Sequence, residues 1–256
     1  MPTEISPLDA ERTFFRDFFG VGSSPGFGSQ LRKAAAQALM RAYETKRDEL
    51  QKRLVVVNLH QQTCLTFEDI GAVMLAVERK LSKNVDFLET YLTYAPGEAY
   101  ISKVVADKED KEILETFGFG EELQDLYTEY GIPREELWRG RRNFLQHIKS
   151  VAGTQDERKT ICNKMKHGAV VLSHGGGIIH GAGEAEQMCS LSLVRDKNSC
   201  INHWNTESFF YSEKEVRFWF EMISNAPSLL KTLAFQYVIR FHPVLRQEWL
   251  TEMGLT

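Results

Sequence analysis

The chain has 256 residues, of which 43% are hydrophobic and 26% are charged, and its formal net charge is −4. These values are ordinary for a globular protein, and the negative balance excludes a bulk positive field for nucleic acid while allowing local basic patches. No apolar run has the length needed to span a bilayer, and the amino-terminal residues do not resemble a secretory signal. We therefore expect a cytoplasmic protein with no membrane partner, in which the four cysteines are reduced.

The first half of the sequence predicts a series of helices. Ser6 is a suitable N-cap for the first of them, and Thr66 is a suitable N-cap for the third. Residues 20–30 are rich in glycine but lack the lysine of a phosphate-binding loop, so they are interpreted as a plain loop. The predicted helices cover residues 7–19, 30–54, 67–95, 98–106, 109–117 and 120–130.

Residues 134–168 predict two antiparallel helices joined by a very short turn. Gly153 ends the first helix, and Thr154 with Glu157 forms a capping box for the second. Folding at Gly153 is expected to bring the basic segment of the first helix beside the end of the second. The residues that would then cluster are Arg139, Arg141, Arg142, Asn163, Lys164 and His167.

Such a cluster combines residue types that suit a phosphodiester. Arginine binds phosphate through a planar fork, and histidine transfers a proton near neutral pH. The alternative interpretation is that WRGRRNF is a solvated basic face and that His167 only caps a helix end, where a positive charge is favoured.

Two short motifs in this section resemble those of the HEPN superfamily. RRNFLQH, residues 141–147, contains Arg142 and Asn143, with His147 five positions after the arginine. CNKMKHG, residues 162–168, has the same frame with Cys162 in place of the arginine. HEPN proteins are helical bundles whose motif is an arginine, usually a polar residue, and a histidine after four to six intervening positions.

The resemblance implies a metal-independent endoribonuclease of the toxin or phage-defence type, without a cofactor, or a degenerate relative that binds RNA. It also implies a homodimer, because two HEPN chains commonly build the site together. The catalytic residues that it implies are Arg142, His147, Asn163 and His167, and the phosphate-binding residues are Arg139, Arg141 and Lys164. Cysteine carries no permanent positive charge, so the second motif depends on an arginine from the neighbouring helix.

A segment with β-strand character follows the second motif. Residues 169–174 and 188–196 predict two strands of a small hairpin, with a glycine-rich connection between them. Histidines and cysteines recur from His174 to His203, but their spacing matches no common zinc motif, so no metal site is assigned. A metal or small-molecule sensor built around these residues is the weaker alternative function.

The last section predicts a helix over residues 213–242, capped by Ser212 and Glu215. The fold class is therefore mainly α, a helical bundle with a small inserted β-hairpin near residues 169–195. We expect a single helical domain over residues 1–256, with the insertion inside 169–210. A non-enzymatic helical protein that binds a partner or acts as a regulator is the alternative to the RNA-directed function.

Overall fold

Helices account for most of the secondary structure. The computed structural model describes residues 5–20, 26–46, 48–94, 100–166, 171–179, 183–195, 201–252 and 254. Of these, residues 27, 29, 49, 50, 156–166, 171–179, 183–195 and 201–211 are described by their backbone alone. In chain order the elements are α1 (Pro7–Phe19), α2 (Phe27–Thr45), α3 (Glu49–Lys83), α4 (Phe87–Leu92), α5 (Tyr100–Asp107), α6 (Asp110–Thr116), α7 (Leu123–Glu129), α8 (Arg134–Lys166), β1 (Val171–Ile179), β2 (Gly183–Arg195), β3 (Ile201–Tyr211), α9 (Glu213–Phe241) and α10 (Pro243–Glu252). The prediction of a mainly α protein is confirmed.

Contacts between Cα atoms divide the chain into two compact units. Unit 1 comprises Met1–Ala34, Thr66–Asp156 and Asn225–Thr256, and unit 2 comprises Ala35–Leu65 and Glu157–Ser224. A division by contacts does not define independently folding domains, so the single-domain organisation stays a prediction.

Aromatic side chains form much of the core of unit 1. The ring of Phe15 stacks on that of Tyr237 with 5.2 Å between centroids, and the ring of Phe87 lies 4.8 Å from the same tyrosine. Phe119 stacks on Phe144 of α8 at 4.5 Å, and both side chains are buried. This second contact fixes the amino-terminal half of α8 against the core of unit 1.

Unit 2 has its own hydrophobic cluster. Small and medium side chains of α2 and α3 pack around the Trp219 ring of α9, and His60 meets that ring edge-on at 4.8 Å. The buried members of the cluster are Ala36, Met40, Val56, Leu59, Val216, Trp219 and Ile223.

The boundary between the second and third helices differs from the predicted one. The chain leaves α2 after Thr45, and the Asp48 side chain accepts a hydrogen bond from the Gln51 amide at 2.9 Å, which caps the start of α3. Thr66, the predicted N-cap, instead lies inside α3 with 2% of its surface exposed. Burial of the apolar segment before Thr66 keeps it helical, which local capping preferences did not reveal.

The β region also differs from the predicted two-stranded hairpin. The backbone forms a three-stranded antiparallel sheet in the order β1-β2-β3, within unit 2. Val171 pairs with Ser190 and Ile179 with Gly183, so most of the predicted connection is itself strand. The third strand went unpredicted because its sequence, INHWNTESFFY, alternates only weakly between apolar and polar residues.

Candidate functional site

Helix α8 carries most of the predicted site residues, and it is one continuous helix. The predicted antiparallel pair is wrong, because α8 runs from Arg134 to Lys166 without a turn at Gly153. The hydroxyl of Thr154 donates to the carbonyl oxygen of Ser150 at 3.1 Å, a bond made inside a helix rather than at its start. Burial of Thr154, which is 8% exposed, favours this helical position over a surface turn.

A continuous α8 separates the two groups of residues that the turn was expected to bring together. Arg142 and Asn163 lie 21 positions apart along α8, and no turn between them folds the helix back on itself. Lys164 lies one residue further along, and His167 is outside the described residues. The side chains of Asn163 and Lys164 are also outside the described part, so the roles of these three residues stay predictions.

The first motif, in contrast, lies in a well-packed part of α8. Arg142 is exposed, and His147 is partly buried. Nδ1 of His147 donates to the carbonyl oxygen of Asn143 at 2.8 Å, so the proton of the neutral imidazole is on Nδ1 and Nε2 is the acceptor. Five positions on a helix place Arg142 and His147 about 140° apart around the axis, so the two side chains leave α8 in different directions.

An exposed tryptophan with arginines around it occupies the same side of α8 as Arg142. Trp138 is 47% exposed, and the guanidinium carbons of Arg141 and Arg134 lie 5.0 and 5.9 Å from its ring centroid. At 100° per residue, the four side chains fall within a sector of about 100°. We call this surface the Trp138 face, formed by Arg134, Trp138, Arg141 and Arg142.

The described residues do not compensate the charge on the Trp138 face. None of the described residues forms an ion pair with Arg134, Arg141 or Arg142. The nearby Lys149 and Arg139 differ in this respect, because Lys149 pairs with Asp110 at 2.6 Å and Arg139 pairs with Glu136. Among the described residues, two guanidinium groups without ion-pair partners, those of Arg134 and Arg141, thus lie over one exposed aromatic ring, and Arg142 lies on the same side of α8.

A different side of α8 borders a cavity within unit 1. The cavity has a volume of about 320 Å³, and Arg139 and Asn143 of α8 line it together with Lys231 and Gln236 of α9. Arg139 was predicted to bind phosphate, but it lies about 100° around the helix from Trp138. The structure therefore assigns the predicted arginines to two different surfaces.

Several of these residues could not be identified from the sequence. Trp138 carried a recognisable signal, since it stands beside RGRR, but the sequence does not show that it is exposed. Lys231 and Gln236 lie more than ninety positions from Arg139 and belong to an ordinary amphipathic helix. Only tertiary packing brings them to the same cavity.

The structure bears on the predicted state of the cysteines and on the possibility of a metal site. Cys64 is disulfide-bonded, so the expectation of reduced thiols is wrong at this residue, and its bonded partner is outside the described side chains. Where side chains are described, no three His, Cys, Asp or Glu residues cluster as metal ligands would. The side chains of His174, Cys189 and His203, on which the sensor alternative depends, are outside that part of the chain.

Comparisons of the chain with protein-family models, curated proteins and solved structures gave no match. The relationship to the HEPN superfamily therefore stays a prediction from the two motifs. Across the helices that are described, none has both the length and the apolar character needed to cross a membrane.

Proposed function

We propose that the protein binds single-stranded RNA through the Trp138 face. The observation that carries the proposal is an exposed indole ring with Arg134 and Arg141 over it and Arg142 on the same side of α8, all three without ion-pair partners among the described residues. Single-stranded nucleic acids are bound by aromatic rings that stack on bases and by cations that follow the phosphates. The Trp138 face offers both kinds of group within one sector of α8.

The energetic contributions of the two kinds of group are separable. Stacking of a base on an aromatic side chain contributes about 1–3 kcal/mol, and it does not depend on salt in the way that phosphate contacts do. Arginine also stacks on aromatic planes, so Arg134 and Arg141 hold the indole in place while their charges remain available. Arg142 is exposed on the same side of α8, four positions after Trp138, and we expect it to bind phosphate without stacking on the indole.

Cleavage of the bound RNA in a homodimer is the second candidate function. The observation that favours it is the 2.8 Å hydrogen bond from Nδ1 of His147 to the carbonyl oxygen of Asn143, which leaves Nε2 for proton transfer. Because Arg142 and His147 diverge by about 140° on one helix, a shared reaction centre is best built from Arg142 of one chain and His147 of a second copy. Such a composite site agrees with what the HEPN-like motif implies.

Fluorescence anisotropy with a labelled oligouridine of about 20 nucleotides tests RNA binding. We expect Trp138→Ala to weaken binding about 5- to 150-fold, and Trp138→Phe to weaken it less, because a phenyl ring still stacks. Arg142→Ala should weaken binding and also reduce its dependence on salt. Arg41→Ala is the matched control, since Arg41 is an exposed helical arginine of α2.

Two results would contradict the RNA proposal. One is wild-type protein that is folded by circular dichroism but does not bind the oligouridine at about 0.05 M salt. The other is equal weakening by Arg41→Ala and Arg142→Ala, which would mean that charge acts without a specific face. Either result would favour the non-enzymatic alternative, in which the Trp138 face binds a protein partner.

A further inference from the structure

The cavity beside α8 has the size of a small-molecule site and opens to solvent. Its volume of about 320 Å³ lies near the lower end of the range of ligand pockets. Residues from α7, α8, α9 and α10 line it, and all of them belong to unit 1. Several elements of one compact unit therefore form its walls.

Aromatic rings make up the apolar part of the walls. Phe235 of α9 meets the Trp249 ring of α10 with 5.1 Å between centroids, and it meets the Tyr127 ring at 6.2 Å. Phe119 lines the cavity as well. Walls of this kind suit a flat aromatic ligand, which buries a large apolar surface and is attracted by the edges and faces of the surrounding rings.

A buried amide in the cavity wall lacks a hydrogen-bond partner. Gln236 is 1% exposed, and its Nε2 donates to the Tyr127 hydroxyl at 3.3 Å. Its Oε1 accepts no hydrogen bond from any described residue. Buried polar atoms in proteins nearly always have a partner, and a rotation of the Gln236 side chain toward the cavity would let Oε1 accept an N–H group from a ligand.

Positive charge also reaches the cavity. Arg139 and Lys231 line it together with one carboxylate, that of Glu136, which pairs with Arg139, while Lys231 lies 3.5 Å from Glu252. These ion pairs are substantially exposed to solvent, and such pairs contribute little to stability. A phosphate can therefore replace a carboxylate at Arg139, whose planar fork fits two phosphate oxygens.

We propose that this cavity binds a nucleoside monophosphate. The base packs on the aromatic wall and donates an N–H to Oε1 of Gln236 once that side chain turns toward the cavity, while Arg139 and Lys231 hold the phosphate. The proposal does not rest on RNA binding by the Trp138 face. Asn143, in the cavity wall, lies about 140° around α8 from Trp138, so the two surfaces can be altered separately.

Two glycines of α8 provide a matched pair of variants. Gly140 lines the cavity, and Gly153 lies outside it in the same helix. A Cβ atom placed at either glycine meets no atom within 4 Å, so both accept a larger side chain without a clash of the backbone. Gly140→Leu places a leucine side chain in the cavity. Gly153→Leu places the same side chain on α8 outside the cavity.

Isothermal titration calorimetry with each of the four ribonucleoside monophosphates tests the proposal. We expect at least one of the monophosphates to bind the wild type and the Gly153→Leu variant with the same affinity. The same monophosphate should bind the Gly140→Leu variant more than about tenfold more weakly. Arg139→Gln should weaken binding of that monophosphate but not of its nucleoside, which lacks the phosphate. Oligouridine binding should be unchanged in Gly140→Leu.

The proposal is overturned if none of the four monophosphates binds the folded wild type. It is also overturned if Gly140→Leu binds the nucleotide as tightly as Gly153→Leu does, because the ligand would then occupy another place. Equal weakening of nucleotide and nucleoside binding by Arg139→Gln would remove the phosphate contact from the proposal.

Discussion

The imidazole of His147 donates from Nδ1 to the carbonyl oxygen of Asn143, one helical turn earlier, at 2.8 Å. This bond ties the ring to its own helix and sets which nitrogen carries the proton. The position of Nε2 is thereby fixed relative to α8, as a general base or acid requires.

RNA cleavage in excess EDTA should depend on this histidine. If the protein is a metal-independent ribonuclease, His147→Ala should lower the cleavage rate about 10²- to 10⁴-fold, which is the usual contribution of general acid–base catalysis. Arg142→Ala should lower it through loss of a phosphate contact, and Arg41→Ala should not. Gel analysis of a mixed-sequence RNA measures the rates. Cleavage that survives in folded His147→Ala protein would remove this residue from the reaction.

Substitution of Gly153 tests whether α8 is continuous. Gly153 is exposed and helical, so Gly153→Ala should raise the free energy of unfolding by about 0.5–1 kcal/mol through better helix propensity. Gly131 is the matched control, because it has equally open surroundings but a φ of +67°. Gly131→Ala should destabilise by about 1–2 kcal/mol. Urea unfolding measures the free energy of unfolding of both variants. A lower value for Gly153→Ala than for the wild type would support the predicted turn at Gly153.

A buried carboxylate in unit 1 should be important for stability. Oε2 of Glu11 lies 2.9 Å from Nε2 of His242, and Oε1 accepts a hydrogen bond from the Tyr237 hydroxyl. Glu11→Ala leaves both partners buried without an acceptor, so we expect it to lower the free energy of unfolding by about 3–5 kcal/mol. Glu115→Ala is the control, because it removes an exposed partner of Lys111. It should lower the free energy of unfolding by no more than about 0.5 kcal/mol. Similar losses in the two variants by urea unfolding would contradict the buried network.

The Tyr237 hydroxyl predicts a dependence of stability on alkaline pH. Burial, and next the hydrogen bond to Glu11, raise the pKa of Tyr237 above its ordinary value of about 10. Below pH 10 the resulting stabilisation is complete. As the pH rises further, the unfolded chain loses this proton before the folded chain does. The free energy of unfolding should then fall by about 1.4 kcal/mol per pH unit on account of this residue.

Tyr237→Phe removes that contribution while it keeps the aromatic ring. Its free energy of unfolding is expected to be lower than that of the wild type near neutral pH, because the bond to Glu11 is lost. Above about pH 10 it should decline less steeply than the wild type. Urea unfolding at a series of pH values compares the slopes, and parallel curves would show that Tyr237 does not retain its proton in the folded state.

Two capping boxes show where sequence reasoning succeeded and where it failed. Ser212 and Glu215 form the predicted reciprocal bonds, with the Ser212 amide 2.7 Å from the Glu215 carboxylate, and α9 begins there. Thr154 and Glu157 have the same pattern in the sequence, but Thr154 lies inside α8. A capping box stabilises a helix start by about 1 kcal/mol, and packing along a buried helix face outweighs that amount.

The sequence by itself determined the helical character of the chain and the start of α1 at the Ser6 cap. It also determined the short helices α5, α6 and α7. These features follow from local helix propensity and capping. The sequence also located the basic segment that contains Arg142 and His147. Tertiary structure decided that α8 continues through Gly153, that α3 continues through Thr66 and that Gln236 and Arg139 line one cavity. The physical reason is that burial against residues distant in the chain contributes several kcal/mol, more than the local signals that a single sequence displays.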